Sequence, residues 1–334
     1  MRRRLGPIVL WGGLLVYPLA VTFTDTPEFL QDVGATLVLS AIGACAWNIV
    51  GGYAGQVSVG HAIFFGAGAY VPLLAYELFQ APPILGVPFG ILVAVAIAVV
   101  IGLPTLRLQG HYFSMATIAV AELIRLVVGN WDLVGAAIGI QGPATPRAWW
   151  DLIFRSALPY YYLFLAVLAL TVYITWAMAR SRFGYYLRAI KAGERAARSL
   201  GVPVRRTKLM ALMLSAALTS VAGSLYAIKV GFVNPESGLG ILVSVQMIIT
   251  AALGGAGTLY GPIIGAIILV PLQSATNTWF GGSGSGLTYI LYGGIIMLLA
   301  RFEPGGLLEL WHQVWPRVRR LVQGQKKTER PRVA

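Results

Sequence analysis

Apolar runs of about twenty residues recur along almost all of this 334-residue sequence, and no other feature limits its fold as strongly. A helix needs roughly 20 apolar residues to cross a bilayer, and about 17 suffice. Windows of that kind lie near residues 5–23, 33–50, 57–76, 87–103, 111–128, 159–179, 209–228, 241–253, 259–275 and 286–300. Lipid offers no partner for a backbone N–H or C=O, so open spans must be helical. An all-α, polytopic helical membrane protein with about ten transmembrane segments, and eight at the least, is the expected fold. The runs at 57–76 and 241–253 are interrupted or short, which suits broken or re-entrant helices. Only 11% of residues are charged and mean hydropathy is +0.74, whereas soluble domains carry about 25% charged residues.

A net charge of +13 would suit nucleic acid, but the basic residues stand in blocks between lengths that lipid would bury. With the N-terminus inside, ten crossings put Arg2–Arg4, Arg107, the 180–208 loop and everything after 300 on the cytoplasmic side. These hold three, one, nine and eight of the 25 Lys and Arg, while Asp25, Glu28, Asp32, Glu77, Asp132, Asp151 and Glu236 fall outside. The positive-inside rule therefore favours an even count with both termini cytoplasmic. On this reading residues 1–310 form the membrane domain, with a cytoplasmic loop at 180–208 and an extracytoplasmic loop at 129–158, and 311–334 form a basic tail against anionic lipid. Arg2-Arg3-Arg4 followed by Leu5–Phe23 resembles a secretory signal, but Pro18 and the spans that follow make an uncleaved first helix the simpler expectation.

Chemistry that needs converging catalytic groups finds little material. Cys45 is the single cysteine, the three histidines are scattered, and no His-Glu-x-x-His run or Gly-x4-Gly-Lys-Ser/Thr phosphate loop occurs. The polar residues that stand out do so by position. From Asn48 to Tyr70 six glycines accompany Gln56, Ser58 and His61 inside an apolar tract, and a second glycine-rich break runs from Gly254 to Ala266. Paired Gly/Pro interruptions point to a transport path, while glycine packing and a hydrogen-bonded interior histidine explain the same residues. Glu122 and Arg125 share a helix face three residues apart, either as a structural pair or as a functional charge. Trp131, Trp149 and Trp150 in the 129–158 loop suit a headgroup belt or a docking partner.

The stretch Arg180–Lys208 has the pattern of a short helix ended by Gly201 and Pro203, set between two spans. Such a helix can be a handle for a soluble motor, with the small Ala196 and Ala197 seating in a groove, or it can be a solvated basic loop.

This stretch resembles the loop that ATP-binding-cassette (ABC) importers present to their ATPase, a Glu-Ala-Ala, three residues, then Gly. Ala196, Ala197 and Gly201 match, Arg195 stands at the glutamate position, and Glu194 precedes it by one. GGYAGQVSVGHAIFFGAGAY at 51–70, LRLQGHYFSMATIAVAELIRLVVGNW at 106–131, LRAIKAGERAARSLGVPVRRTKLMALMLSAALTSVAGSLYA at 187–227 and GGAGTLYGPIIGAII at 254–268 extend the resemblance to the LivM-like permeases for branched-chain amino acids. The family tract at Gly139–Pro146 departs from its usual Gly-Pro-Asn-Gly-like loop.

The resemblance implies a non-catalytic permease subunit in a bacterial or archaeal cell membrane. It further implies a homologous second permease of the LivH-like kind, an extracytoplasmic substrate-binding protein, and two ATP-binding subunits that hold ATP and Mg, so that this chain needs no cofactor. Nucleic acid is not an expected partner. For a zwitterionic amino acid the path needs helix ends and polar side chains, and Asn48, Gln56, Ser58, His61, Gln246 and Thr258 are the candidates, with Glu122 and Arg125 held in reserve. Urea or short-amide importers have similar permeases and are the alternative. An ion-coupled secondary transporter, with Glu122, Arg125 and His61 as relay, is disfavoured by the basic loop.

Overall fold

The computed structural model describes residues 5–24, 26–143 and 149–280, with isolated positions at 290, 293, 294 and 297. Within them lie α1 (Leu5–Val21), α2 (Pro27–Asn48), α3 (His61–Phe79), α4 (Pro83–Thr105), α5 (His111–Gly129) and α6 (Ala157–Arg180). Two short helices follow, α7 (Arg182–Ala192) and α8 (Glu194–Ser199), and then α9 (Val204–Val230), α10 (Pro235–Leu239), α11 (Ile241–Gly254) and α12 (Gly261–Phe280). Among the described residues, seven stretches are long and apolar enough to cross a membrane, Pro27–Tyr53 and Pro235–Gly254 among them. Helix α1 is apolar but shorter. The chain is an all-α polytopic membrane protein, and every expected segment up to 259–275 coincides with a helix. The expected segment 286–300 and the basic tail lie outside the described residues.

The physical reasons for these bounds are local. Helix α2 starts on Pro27, whose fixed φ suits a first turn, and runs on through a π-helical turn, Ile49–Tyr53. The short 241–253 window gains length because α10 precedes α11 with only Gly240 between them. Asn234 caps α10 by accepting the Ser237 N–H, and Ser237 answers by accepting the Asn234 N–H.

Helix α2 is the central element, packing on α6, α9, α11 and α12. Helices α3, α4 and α9 form a second group in which backbones nearly touch. A Cβ at Gly68 would strike the Ser220 carbonyl, and one at Gly223 the Phe65 carbonyl. Close approach through small residues drives helix association where lipid supplies no hydrophobic force. Helix α5 and much of α4 present apolar side chains outward, for example Leu92, Val100, Leu123 and Val127.

The two ends of the bundle differ. Helix α9 spans about 40 Å at 1.5 Å per residue. At its start sit α7, α8 and the reversals between α2 and α3, α4 and α5, and α11 and α12. At its finish, Phe232–Val233 pairs antiparallel with Ile140–Gln141, in register Ile140 with Val233. The 129–143 loop is thereby fastened to the α9–α10 turn. The described part of the 129–158 loop also holds two 3-10 turns, Asp132–Val134 and Trp149–Asp151.

Candidate functional site

The two glycine breaks, some 200 residues apart in sequence, meet at the α7 end of the bundle. Asn48, the last residue of α2, joins them. Its Nδ2 donates to the Thr258 carbonyl at 2.8 Å, and its Oδ1 accepts the Gly257 N–H at 2.7 Å. A side chain at Gly52 would collide with the Asn48 amide and the Gly257 backbone. Glycine is required there because two chain reversals share one space. The carbonyl of Gly52, in the last turn before the reversal, accepts a hydrogen bond from Lys191 Nζ at 2.8 Å. Lys191 lies in the last turn of α7.

A second network holds the start of α3. Ser215 on α9 donates its hydroxyl to the Ala46 carbonyl at 2.6 Å, which leaves it an acceptor for His61 Nε2–H at 2.8 Å. His61 Nδ1 then accepts the Ser58 hydroxyl at 3.1 Å. This assigns a neutral imidazole with both nitrogens satisfied. The Trp47 indole N–H donates to the Ser58 carbonyl at 2.8 Å. The backbone N–H of Ala62 finds Ser244 Oγ at 2.7 Å, and that of Val59 finds Thr117 Oγ1 at 3.1 Å. Helices α2, α3, α5, α9 and α11 are thus tied at one level by groups that are almost all buried. Polar groups so placed are costly unless paired, and here they are paired.

The remaining candidates are elsewhere. Gln56 stands in the reversal itself, and its Oε1 is buried with no partner among the described residues. Gln246 lies on α11 far from the Asn48 clasp, its Nε2 at 3.4 Å from Gln273 Oε1 of α12. Glu122 and Arg125 are at the opposite end of the bundle. Two N–H groups of Arg125 reach Glu122, at 2.5 and 3.0 Å, and a third reaches Glu236 at 3.4 Å, so the pair also pins α5 to α10. Glu122 is half exposed. These two charges do not join the His61 network.

The 180–208 loop forms two helices, broken at Gly193. Glu194 opens α8 and pairs with Lys208 of α9 at 2.5 Å and with Arg198 at 3.3 Å. The Lys208 side chain is 1% exposed, so its ammonium depends on this carboxylate. The glutamate one place before the family position therefore makes a salt bridge within the chain. Ala197 is buried with Ile190 and Val204 against its own protein, while Arg195 and Ala196 face outward beside Leu200. Gly201 takes φ +82, and a Cβ there would meet no atom of the described residues. Its role is conformational, closing α8 through the left-handed region.

Residue reading alone did not single out Lys191, Ser215, Ser244 or Lys208. Each is common in type, and its partner is fixed only by tertiary contact. Lys208 did carry a signal, a lysine at the start of an apolar run fourteen residues after a glutamate.

A bundle of long apolar helices whose broken reversals are wired to an external helix pair is a membrane-embedded transport protein in form. The chain belongs to the family of permease components of branched-chain amino acid transport systems, whose model matches residues 30–300. It is 28% identical to the high-affinity branched-chain amino acid transport system permease protein LivM of Escherichia coli strain K12, over 89% of this chain and 74% of that protein. It is 24% identical to the corresponding permease BraD of Pseudomonas aeruginosa, over 83% and 92%. An autoinducer 2 import system permease, LsrC of Salmonella paratyphi B, is 27% identical over 78% and 71%. This chain is a membrane permease subunit of an ABC importer.

Proposed function

We propose that this permease carries branched-chain or similar amino acids into a bacterial or archaeal cell, paired with a homologous permease and driven by two ATP-binding subunits that hold ATP and Mg. An extracytoplasmic binding protein would deliver the substrate. In this reading ten spans place both termini and the α7–α8 pair in the cytoplasm, in line with the basic residues of that loop. The observation that carries the reading is Lys191. A motor moving α7 would pull on the Gly52 carbonyl, and through Asn48 on the α11–α12 break, with no intervening flexible segment. Leu200 and Tyr185, exposed on the same helix pair, offer the motor an apolar hold. The inward-facing state then follows from opening the Asn48 clasp, which is alternating access at a hinge built of glycines. Ser58 and His61 serve as its fixed side, and Glu122 and Arg125 as a strut at the outer end.

The deciding experiment places the chain with its partner subunits in liposomes and follows uptake of leucine, other amino acids and urea, with and without ATP. ATP-dependent leucine accumulation is expected. Accumulation driven by a proton gradient without ATP would sink the importer mechanism, and uptake of urea alone would replace the cargo.

A further inference from the structure

Helix α2 carries one polar stripe. Asp32, Thr36, Ser40 and Gly43 follow one another at three- and four-residue steps and so share a face. At its outer end Lys229 of α9 sets its ammonium 2.8 Å from Asp32 Oδ1 and 2.9 Å from Thr36 Oγ1. Beside them opens a cleft of about 300 Å³ that Gln246, Gln273 and Ser274 also line. Thr36 and Gln246 are shared with a second cavity of about 230 Å³, so the two are contiguous. Ser40 and Thr250 add hydroxyls to the inner cavity, and Leu39, Phe65, Val243 and Met247 give it an aliphatic and aromatic wall. Met247 closes the bottom, packing so near Gly43 that a Cβ there would lie 3.2 Å from Met247 Cε. Just over one helical turn further along α2 is the Asn48 clasp.

The chemistry of this column selects its ligand. Opposite charges at the mouth can exchange their mutual contact for the two ends of a zwitterion, and an uncharged amide has no use for them. The inner chamber offers neutral donors and acceptors beside apolar surface, and it is smaller than the 300–1,000 Å³ typical of drug-sized ligands. A roomier cleft between α1 and α12, about 600 Å³, lacks this mixture. Tyr17 and Tyr161 are the polar side chains in its lining, and their hydroxyls already donate to the Leu30 and Leu14 carbonyls.

We propose that the seam between α2 and α11 is a transit site within this subunit for a small aliphatic zwitterion, entered past Asp32 and Lys229 and floored by Met247 over Gly43. The inference rests on the amino-acid reading above and locates its path inside one permease. It is tested in the liposome complex with Ser40→Cys in a Cys45→Ala background, labelled from outside with a small membrane-impermeant thiol reagent. Leucine is expected to slow labelling several-fold, and urea to leave it unchanged. Ser40→Leu, which fills the chamber, is expected to raise the leucine KM about tenfold. Protection by leucine without ATP-driven leucine uptake would keep the chamber and remove the cargo. Leucine uptake with no protection, and with a wild-type KM in Ser40→Leu, would remove the chamber and keep the cargo. A cysteine at 40 that never labels, because another subunit covers the seam, would also overturn it.

Discussion

Lys191 Nζ lies 2.8 Å from the carbonyl oxygen of Gly52, so the last turn of the external helix α7 ends on the turn that closes α2. The last carbonyls of a helix have no intrahelical partner, and here a cation on a different element takes one of them. Replacing Lys191 with Met keeps the stem and removes the donor. A charge-assisted hydrogen bond contributes about 1.5–3 kcal/mol, so the ratio of leucine transported to ATP hydrolysed is expected to fall about tenfold. ATP hydrolysis by the complex should persist. Measuring both rates on one liposome preparation checks this, and an unchanged ratio would release α7 from the coupling role.

Asn48 is the second link. Asn48→Asp keeps an acceptor for the Gly257 N–H but turns a carboxylate oxygen toward the Thr258 carbonyl, replacing a donor with a repulsive contact. Asn48→Ala removes both bonds and leaves both backbone groups without that partner, at about 1–3 kcal/mol each. Both variants should unfold at lower temperature in detergent, Asn48→Asp at least as early as Asn48→Ala. Equal stability of Asn48→Asp and wild type would mean that the clasp is not formed.

Much of the architecture could be read from the order of residues, for a physical reason. A span is specified by about twenty neighbours in sequence, so α2 to α6, α9 and α12 appear as windows without any tertiary knowledge. The glycines at 51–70 and 254–266 were legible as breaks, because a helix with several glycines and no lipid-facing excuse must serve some close approach. What they approach was not legible. Gly52 meets Gly257 because Asn48 reaches across about 210 positions, and no local pattern encodes that. Glu122 and Arg125 were legible as a pair from their spacing, while Glu236, the third member, comes from α10. The split of the external segment into α7 and α8 stayed hidden. Its amphipathic run continues through Gly193, and the turn there sets Ala197 against Ile190 and Val204, a contact that no local pattern announces.

The Glu194–Lys208 pair offers a cleaner measurement of how α8 is held. Removing one partner of a buried pair costs about 3–5 kcal/mol, because the other charge is left uncompensated, whereas an apolar replacement of both is often neutral. Glu194→Leu alone should therefore lower the unfolding temperature markedly. Glu194→Leu with Lys208→Met should recover most of that loss. A double variant no more stable than Glu194→Leu alone would show that the ion pair does not bear on Lys208.

Gly201 separates strain from contact. Its φ of +82 lies where a Cβ is disfavoured, yet no atom of the described residues stands within reach of one. The energy of substitution is therefore conformational, about 1 kcal/mol for alanine, and less for asparagine, which visits the left-handed region more readily. If Gly201 acts by shaping the α8 end alone, Gly201→Asn should couple ATP hydrolysis to leucine uptake nearly as wild type does, and Gly201→Val should not. If a partner subunit seats against this position, asparagine and valine should uncouple alike, since both fill the space. Uptake per ATP measured for the three variants distinguishes these cases, and the open surroundings of Gly201 favour the first.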